Sequence, residues 1–274
     1  MDLRERVTLN NGVKMPVLGL GTFRAKQGEE TYNAVRYALE AGYRHIDTAA
    51  IYGNEESVGE AISDSKIPRE EIFVTTKLWN EDMRNGTQQR AIQQSLSKLG
   101  LSYVDLYLIH WPVRGKYTDS WLELEKMYEQ GLARAIGVSN FHIHHLQDVL
   151  KVCKIMPAVN QVECHPYLSQ AELADFCKEK GIQFEPWSPL AAGKALSDGV
   201  LKELGAKYNK DTAQIILRWG LQRGFVNIPK SVNKERIISN AKIFDFQLSS
   251  EDMSRIFALN TNERVGSDPE TFDF

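Results

Sequence analysis

The feature that most constrains this chain is an alternation. Eight short apolar runs are separated by longer stretches whose apolar residues recur three and four apart. The runs are VLGLGT from Val17, YRHIDT from Tyr43, IFVTTKL from Ile72, VDLYLIH from Val104, RAIGVS from Arg134, VNQVEC from Val159, FEPWSP from Phe184 and VNIPKS from Val226. Four of the stretches between them, EETYNAVRYALEAG from Glu29, TQQRAIQQSLSKLG from Thr87, SQAELADFCKEKG from Ser169 and DTAQIILRWGLQRG from Asp211, each end at a glycine suited to a helix C-terminal cap. Parallel strands need helical crossovers and cover on both faces, so eight such units in a row predict a closed (β/α)8 barrel, the α/β fold of TIM type. In front of it, VTLNNGVKM from Val7 to Met15 places Asn11-Gly12 between two alternating runs and predicts a hairpin with a two-residue turn. Behind it, SSEDMSRIFALN from Ser249 predicts an extra C-terminal helix.

No Pro/Gly/Ser-rich linker or break in composition divides residues 1–274, so a single domain is expected. With 42% apolar and 25% charged residues, a chain of this length can bury a substantial core. A doubly wound dinucleotide fold would want GxGxxG at its first βα turn, but GLGTFR from Gly19 has Arg24 where the third glycine should stand. The net charge of −3 carries no basic stripe, which argues against nucleic-acid and anionic-membrane partners. Cys153, Cys164 and Cys177 are odd in number and lack CxxC spacing, which speaks against a disulfide framework and a structural zinc site and for a reducing compartment. The first twelve residues, MDLRERVTLNNG, hold no apolar leader and no window approaches a membrane span, so a cytoplasmic protein, expected to be a monomer, is the reading.

In a barrel of this type the site lies at the C-terminal ends of the strands. Polar residues unsuited to a core gather there: Asp47, Lys77, His110, Ser139 and Asn140, Gln161 and Glu163, Trp187 and Ser188, Lys230 and Ser231. Any one of them alone reads as a solvated loop residue or a satisfied core group. The ring of them points to a reaction site. His110 stands in YLIHWP, where an apolar run ends in an imidazole, a tryptophan and a proline.

GYRHIDTAAIYGNE from Gly42, TTKLWN from Thr75, YLIHWP, AIGVSNF from Ala135, VNQVECHP from Val159 and IPKSV from Ile228 resemble the signature segments of the aldo-keto reductase superfamily over nearly the whole chain. Within it the chain resembles the bacterial 2,5-diketogluconate and glyoxal or methylglyoxal reductases and the kinetoplastid prostaglandin F synthases. The resemblance implies a barrel that binds NADPH without a Rossmann motif and reduces the carbonyl groups of small molecules. It implies Asp47, Tyr52, Lys77 and His110 as catalytic residues. For the cofactor it implies Gly21, Thr22, Phe23 and Asp47, then Ser139, Asn140 and Gln161 at the carboxamide and Trp187 stacked on the nicotinamide. Ser188, Leu190, Ile228, Lys230, Ser231, Val232, Arg236, Ser239 and Asn240 match positions along the phosphates and adenine, with Ser239 where mammalian members often carry glutamate. Phe23, Tyr52, Trp79, His110 and Trp111 are expected to wall the substrate pocket.

The chemistry suits these residue types. Hydride addition to a carbonyl leaves negative charge on its oxygen, so the site must offer a proton and hydrogen-bond donors there. Tyr52 can give the proton, and an ammonium about 4 Å away favours the phenolate by up to about 4 kcal/mol. Lys77 is expected to supply that field, Asp47 to hold Lys77, and His110 to orient the carbonyl. Lys230, Ser231 and Arg236 suit a 2′-phosphate, hence NADP rather than NAD. Two other classes are open at this point: a non-enzymatic NADPH-binding sensor or scaffold, and a metal-dependent hydrolase using His142, His144 and His145 of NFHIHHL. Against the latter, barrel metal ligands come from several strand ends, so no metal is expected and these histidines read as a solvated helix start. The loop VRGKYTDS and the tail beyond Asn260 are short, which predicts an open, undiscriminating pocket.

Overall fold

In the computed structural model, which describes residues 2–272, the chain opens with strands β1 (Arg6–Thr8) and β2 (Lys14–Pro16), paired antiparallel. Their turn differs from the expected one. The loop has three residues, Asn10 to Gly12: Gly12 N–H bonds Leu9 O at 2.9 Å, and of the three only Gly12, at φ 85°, is in the left-handed region. A two-residue Asn11-Gly12 turn would need positive φ at both positions.

The barrel follows as β3 (Leu20–Gly21), β4 (His45–Asp47), β5 (Phe73–Leu78), β6 (Val104–Ile109), β7 (Ala133–Ser139), β8 (Val159–Glu163) and β9 (Gln183–Trp187), all parallel and paired in chain order. The eighth run, from Val226, closes the ring without becoming a regular strand. Val226 N–H bonds Phe184 O on one side, while Gly19 N–H bonds Asn227 O and Gly21 N–H bonds Pro229 O on the other. Isolated bridges Leu18–Asn227 and Gly21–Lys230 are all that register there, because Pro229 has no N–H to give a ladder. Gly21 tolerates this closure because it has no Cβ, which would lie 2.9 Å from Ile228 O.

Helices α1 (Glu29–Glu40), α2 (Glu55–Asp64), α3 (Asn80–Asn85), α4 (Gln88–Leu99), α5 (Tyr117–Glu129), α6 (Ile143–Val152), α7 (Ala171–Glu179), α8 (Gly199–Tyr208), α9 (Thr212–Gln222), α10 (Lys234–Asn240) and α11 (Ser250–Phe257) surround the ring. Their ends follow local chemistry. Asp211 and Gln214 form a reciprocal capping box at the start of α9, and Gly100 beyond α4 takes φ 64°. In α1, Ala34, Val35, Ala38 and Leu39 form the stripe that packs inward. Among the described residues no helix is long and apolar enough to cross a membrane.

Leu9, Met15, Phe73, Leu106, Leu108, Ala135, Val159 and Val226 form one apolar cluster, so the hairpin seals one end of the barrel. Asn10 Nδ2 bonds Pro157 O and Asn11 Nδ2 bonds Arg134 O, at the starts of β8 and β7.

Candidate active site

Asp47 ends β4, Tyr52 ends a 3-10 turn (Ala50–Tyr52), Lys77 is the penultimate residue of β5, and His110 follows β6. The structure brings all four together. Lys77 has no exposed surface, and its ammonium donates to Asp47 Oδ1 at 2.7 Å, to Thr48 O at 2.8 Å and to Tyr52 Oη at 3.5 Å. The Tyr52 and His110 ring centroids are 5.7 Å apart.

The electrostatics refine the sequence reading. Burial works against the Lys77 charge, but Asp47 and Tyr52 outweigh it and hold the ammonium above the ordinary lysine range. For Tyr52 burial is the largest influence and leaves the phenol above its ordinary value, although the Lys77 charge pulls it down. Lys77 thus acts in the expected direction, but the net shift is upward, because burial outweighs its pull and Asp47 offsets part of its field. Burial, with Lys77 adding to it, holds His110 well below the ordinary histidine value, so its imidazole is neutral at pH 7. Among the described residues its buried Nδ1 has no hydrogen-bond partner. An orphaned lone pair is cheaper than an orphaned N–H, which assigns the proton to Nε2 as a donor.

An aromatic wall runs around this polar group. Phe23 lies 5.1 Å from Tyr52, Trp79 5.3 Å and Trp111 6.4 Å from His110, centroid to centroid. Phe272, which sequence reasoning missed, stacks on Trp111 at 3.9 Å.

The tail bears this out. Val265 and Gly266 N–H groups bond the two oxygens of Glu163, a fully buried carboxylate that also holds His165 Nε2 at 2.9 Å. The segment beyond Asn260 thus returns over the strand ends and narrows a mouth that its short length had suggested was open.

Several of the residues expected at the cofactor are tied to the strand ends by hydrogen bonds. Thr22 donates to Asp47 O at 2.9 Å, beside Gly21 and the exposed Phe23. Ser139 Oγ donates to Gln161 O at 2.8 Å, Asn140 Nδ2 to His110 O at 2.9 Å, and Trp187 Nε1 to Asn140 Oδ1 at 2.8 Å. Asn140 at φ 64° and Ser188 at φ 48° hold the left-handed region, strain of the kind that collects at sites. Leu190 is half-buried after the turn, and Ile228, Ser231 and Asn240 are buried while Val232 is half-buried near the eighth strand position. Lys230 and Arg236 are exposed, and among the described residues neither side chain forms a hydrogen bond or ion pair. Ser239 is turned elsewhere: its hydroxyl donates to Asp211 at 2.7 Å, at the start of α9.

His142, His144 and His145 do not reach this site. His142 caps α6, its N–H donates to His145 Nδ1 at 3.2 Å, and Glu270 of the tail approaches His144 Nε2 to 3.4 Å. Donor atoms of His144, His145 and Glu270 lie within 4.8 Å of one another, all from one helix start and the tail. The helix start is covered by the tail rather than simply solvated.

A second group escaped the sequence reading. Gln161 Nε2 donates both to Asp47 Oδ2 at 2.7 Å and to Glu185 Oε2 at 2.9 Å. Glu185 lies in the middle of β9 rather than at its end. A charged residue within the run FEPW was the one available signal.

Residues 17–261 match the profile of the Aldo/keto reductase family. The chain is 55% identical over 273 residues to a glyoxal reductase of Bacillus subtilis, covering 100% of this chain and 99% of that one. It is 53% identical to a 9,11-endoperoxide prostaglandin H2 reductase of Trypanosoma cruzi, over 97% of this chain and 95% of the other. An aldo-keto reductase of Bombyx mori, solved in complex with NADP, superposes with a TM-score of 0.91 at 39% identity, over 97% and 96% of the two chains. With this profile match, these identities and this barrel, the chain belongs to the aldo/keto reductase family.

Proposed function

We propose that the chain works as a single barrel domain that reduces small aldehydes and ketones, reactive dicarbonyls first among them, to alcohols with NADPH, Tyr52 giving the proton. The observation that carries this reading is the fully buried Lys77 ammonium held between Asp47 and Tyr52, with neutral His110 beside them. The glyoxal reductase likeness favours a dicarbonyl substrate.

The chain is an NADP-dependent oxidoreductase, and its residues fit the cofactor. Two exposed cations without partners among the described residues, Lys230 and Arg236, suit a phosphate, and the Trp187 ring beside Asn140 suits a planar amide-bearing ring. Bound NADPH supplies the hydride that the protein cannot. Nε2–H of His110 donates to the carbonyl oxygen and orients it. Tyr52 passes its proton to that oxygen as charge builds there, and Lys77 stabilises the phenolate left behind. The aromatic wall keeps water from the carbonyl.

Purified protein should oxidise NADPH when given methylglyoxal or glyoxal, with and without a metal chelator. No turnover across a broad carbonyl panel would favour a scaffold that only binds the nucleotide, and loss of turnover with chelator would favour a metal mechanism. For the cofactor, Arg236→Ala should weaken NADPH binding about ten- to a hundredfold and leave NADH nearly unchanged, since a charge-assisted contact to the 2′-phosphate is lost. Quenching of tryptophan fluorescence gives both dissociation constants. Equal losses would move Arg236 away from the 2′-phosphate.

A further inference from the structure

Beneath the tetrad lies a carboxyl group that the reaction described above does not use. Glu185 is the third residue of β9, registered with Gln161 on β8, and has no exposed surface. Its Oε2 accepts from the Gln161 amide nitrogen, which donates equally to Asp47 Oδ2. Its Oε1 is buried, with no hydrogen-bond partner among the described residues.

Two buried carboxyl groups therefore sit on one amide nitrogen, and the ammonium within reach, that of Lys77, is bound to Asp47. The remaining neighbour is His45, whose Nε2 is 3.8 Å from Glu185 Oε1 and already shared with Thr75 Oγ1 at 3.1 Å. Burial pushes His45 down to about 3, so it brings no charge at neutral pH. A fully buried carboxylate whose nearest cation is already bound to another carboxylate is strongly disfavoured.

We propose that Glu185 is a positioning residue for carbonyl reduction: as a neutral acid it steadies Gln161 and Asp47 beneath Lys77, and its ionisation puts a second negative charge behind that ammonium and makes Tyr52 a poorer proton donor. The inference rests on the reductase reading of the tetrad.

Burial first, then the nearness of Asp47, pushes Glu185 up to about 8, against the Gln161 hydrogen bond and the Lys77 charge. Below that pH the acid is neutral and only Asp47 offsets Lys77. Above it, the second charge offsets Lys77 further, the phenol becomes harder to ionise, and reduction slows. The titratable groups facing Glu185 are Asp47 and His45 from β4 and Lys77 from β5. Glu163, next along the inward row of β8, is taken up by His165 and the tail, and the segment on the other side of β9 brings Val226, Asn227 and Ile228.

Glu185→Gln keeps the shape and the acceptor for Gln161 but cannot ionise. In the wild type, kcat for dicarbonyl reduction at saturating NADPH should fall about tenfold as pH rises through about 8. The variant should keep its neutral-pH kcat within about threefold and lose that fall, since no charge can form there. A fall at the same pH in a folded Glu185→Gln protein overturns the proposal and leaves Glu185 a part of the fold alone. A second measurement needs only the wild type. The infrared band of a protonated carboxylic acid should be present at neutral pH and vanish through about 8. Turnover without such a titrating band overturns this proposal alone. Absence of any NADPH-dependent turnover overturns the reductase reading and this inference with it.

Discussion

Tyr52→Phe is expected to lower kcat by a factor of about 10² to 10⁴, the usual worth of a positioned general acid, while NADPH binds nearly as before. The phenylalanine keeps the ring that packs 5.1 Å from Phe23 and 5.7 Å from His110, so the aromatic wall stays in place. What is lost is the hydroxyl that accepts from Lys77 at 3.5 Å. Single-turnover rates with a small dicarbonyl, alongside dissociation constants for NADPH, separate the two effects. A kcat like that of the wild type would take Tyr52 out of the proton transfer. A large loss of NADPH affinity would make it a cofactor-binding residue instead.

Lys77→Met should cost both activity and stability. Methionine fills much of the lysine volume but leaves Asp47 buried with Gln161 as its remaining side-chain donor, and breaking a buried ion pair in this way typically costs about 3–5 kcal/mol. The sign with pH is fixed by the raised Lys77 value. Lys77 stabilises the fold fully below the ordinary lysine range, and that contribution is lost only as pH rises through its raised value. The stability gap between wild type and variant should therefore be flat across neutral pH. Adding Asp47→Asn should recover most of the stability, because the unpaired charge goes with it, but not kcat, because the field on Tyr52 stays absent. Urea unfolding followed by circular dichroism, with kcat measured on folded protein, decides this. Restored activity in the double variant would mean that the ion pair is structural only.

How much of this was written in the amino-acid order can be judged from particular residues. The βα alternation is a local property of periodicity, so seven of the eight runs became regular strands, each shifted by no more than a few positions. Once the barrel was read, its geometry implied that Asp47, Lys77 and His110 would converge, since strand ends in a closed ring share one rim. Helix caps such as Asp211 with Gln214 were local as well.

Other features depended on which residues meet across the fold. The eighth run has the composition of a strand, yet Pro229 removes the N–H that its neighbours would need, and only the closed ring shows that Gly19 and Gly21 take up its carbonyls instead. The net shift of Tyr52 is a balance of burial, Lys77 and Asp47, and burial cannot be read from a chain. Tail closure follows from one buried carboxylate, Glu163, whose need for donors is met by amides about a hundred residues further along. Sequence by itself thus determined the barrel and the polar rim at its strand ends, because both follow from local periodicity and spacing. Tertiary structure alone decided the charge state of that rim, the shape of its mouth and the carboxyl beneath it, because desolvation and shared hydrogen bonds exist only between residues distant in the chain.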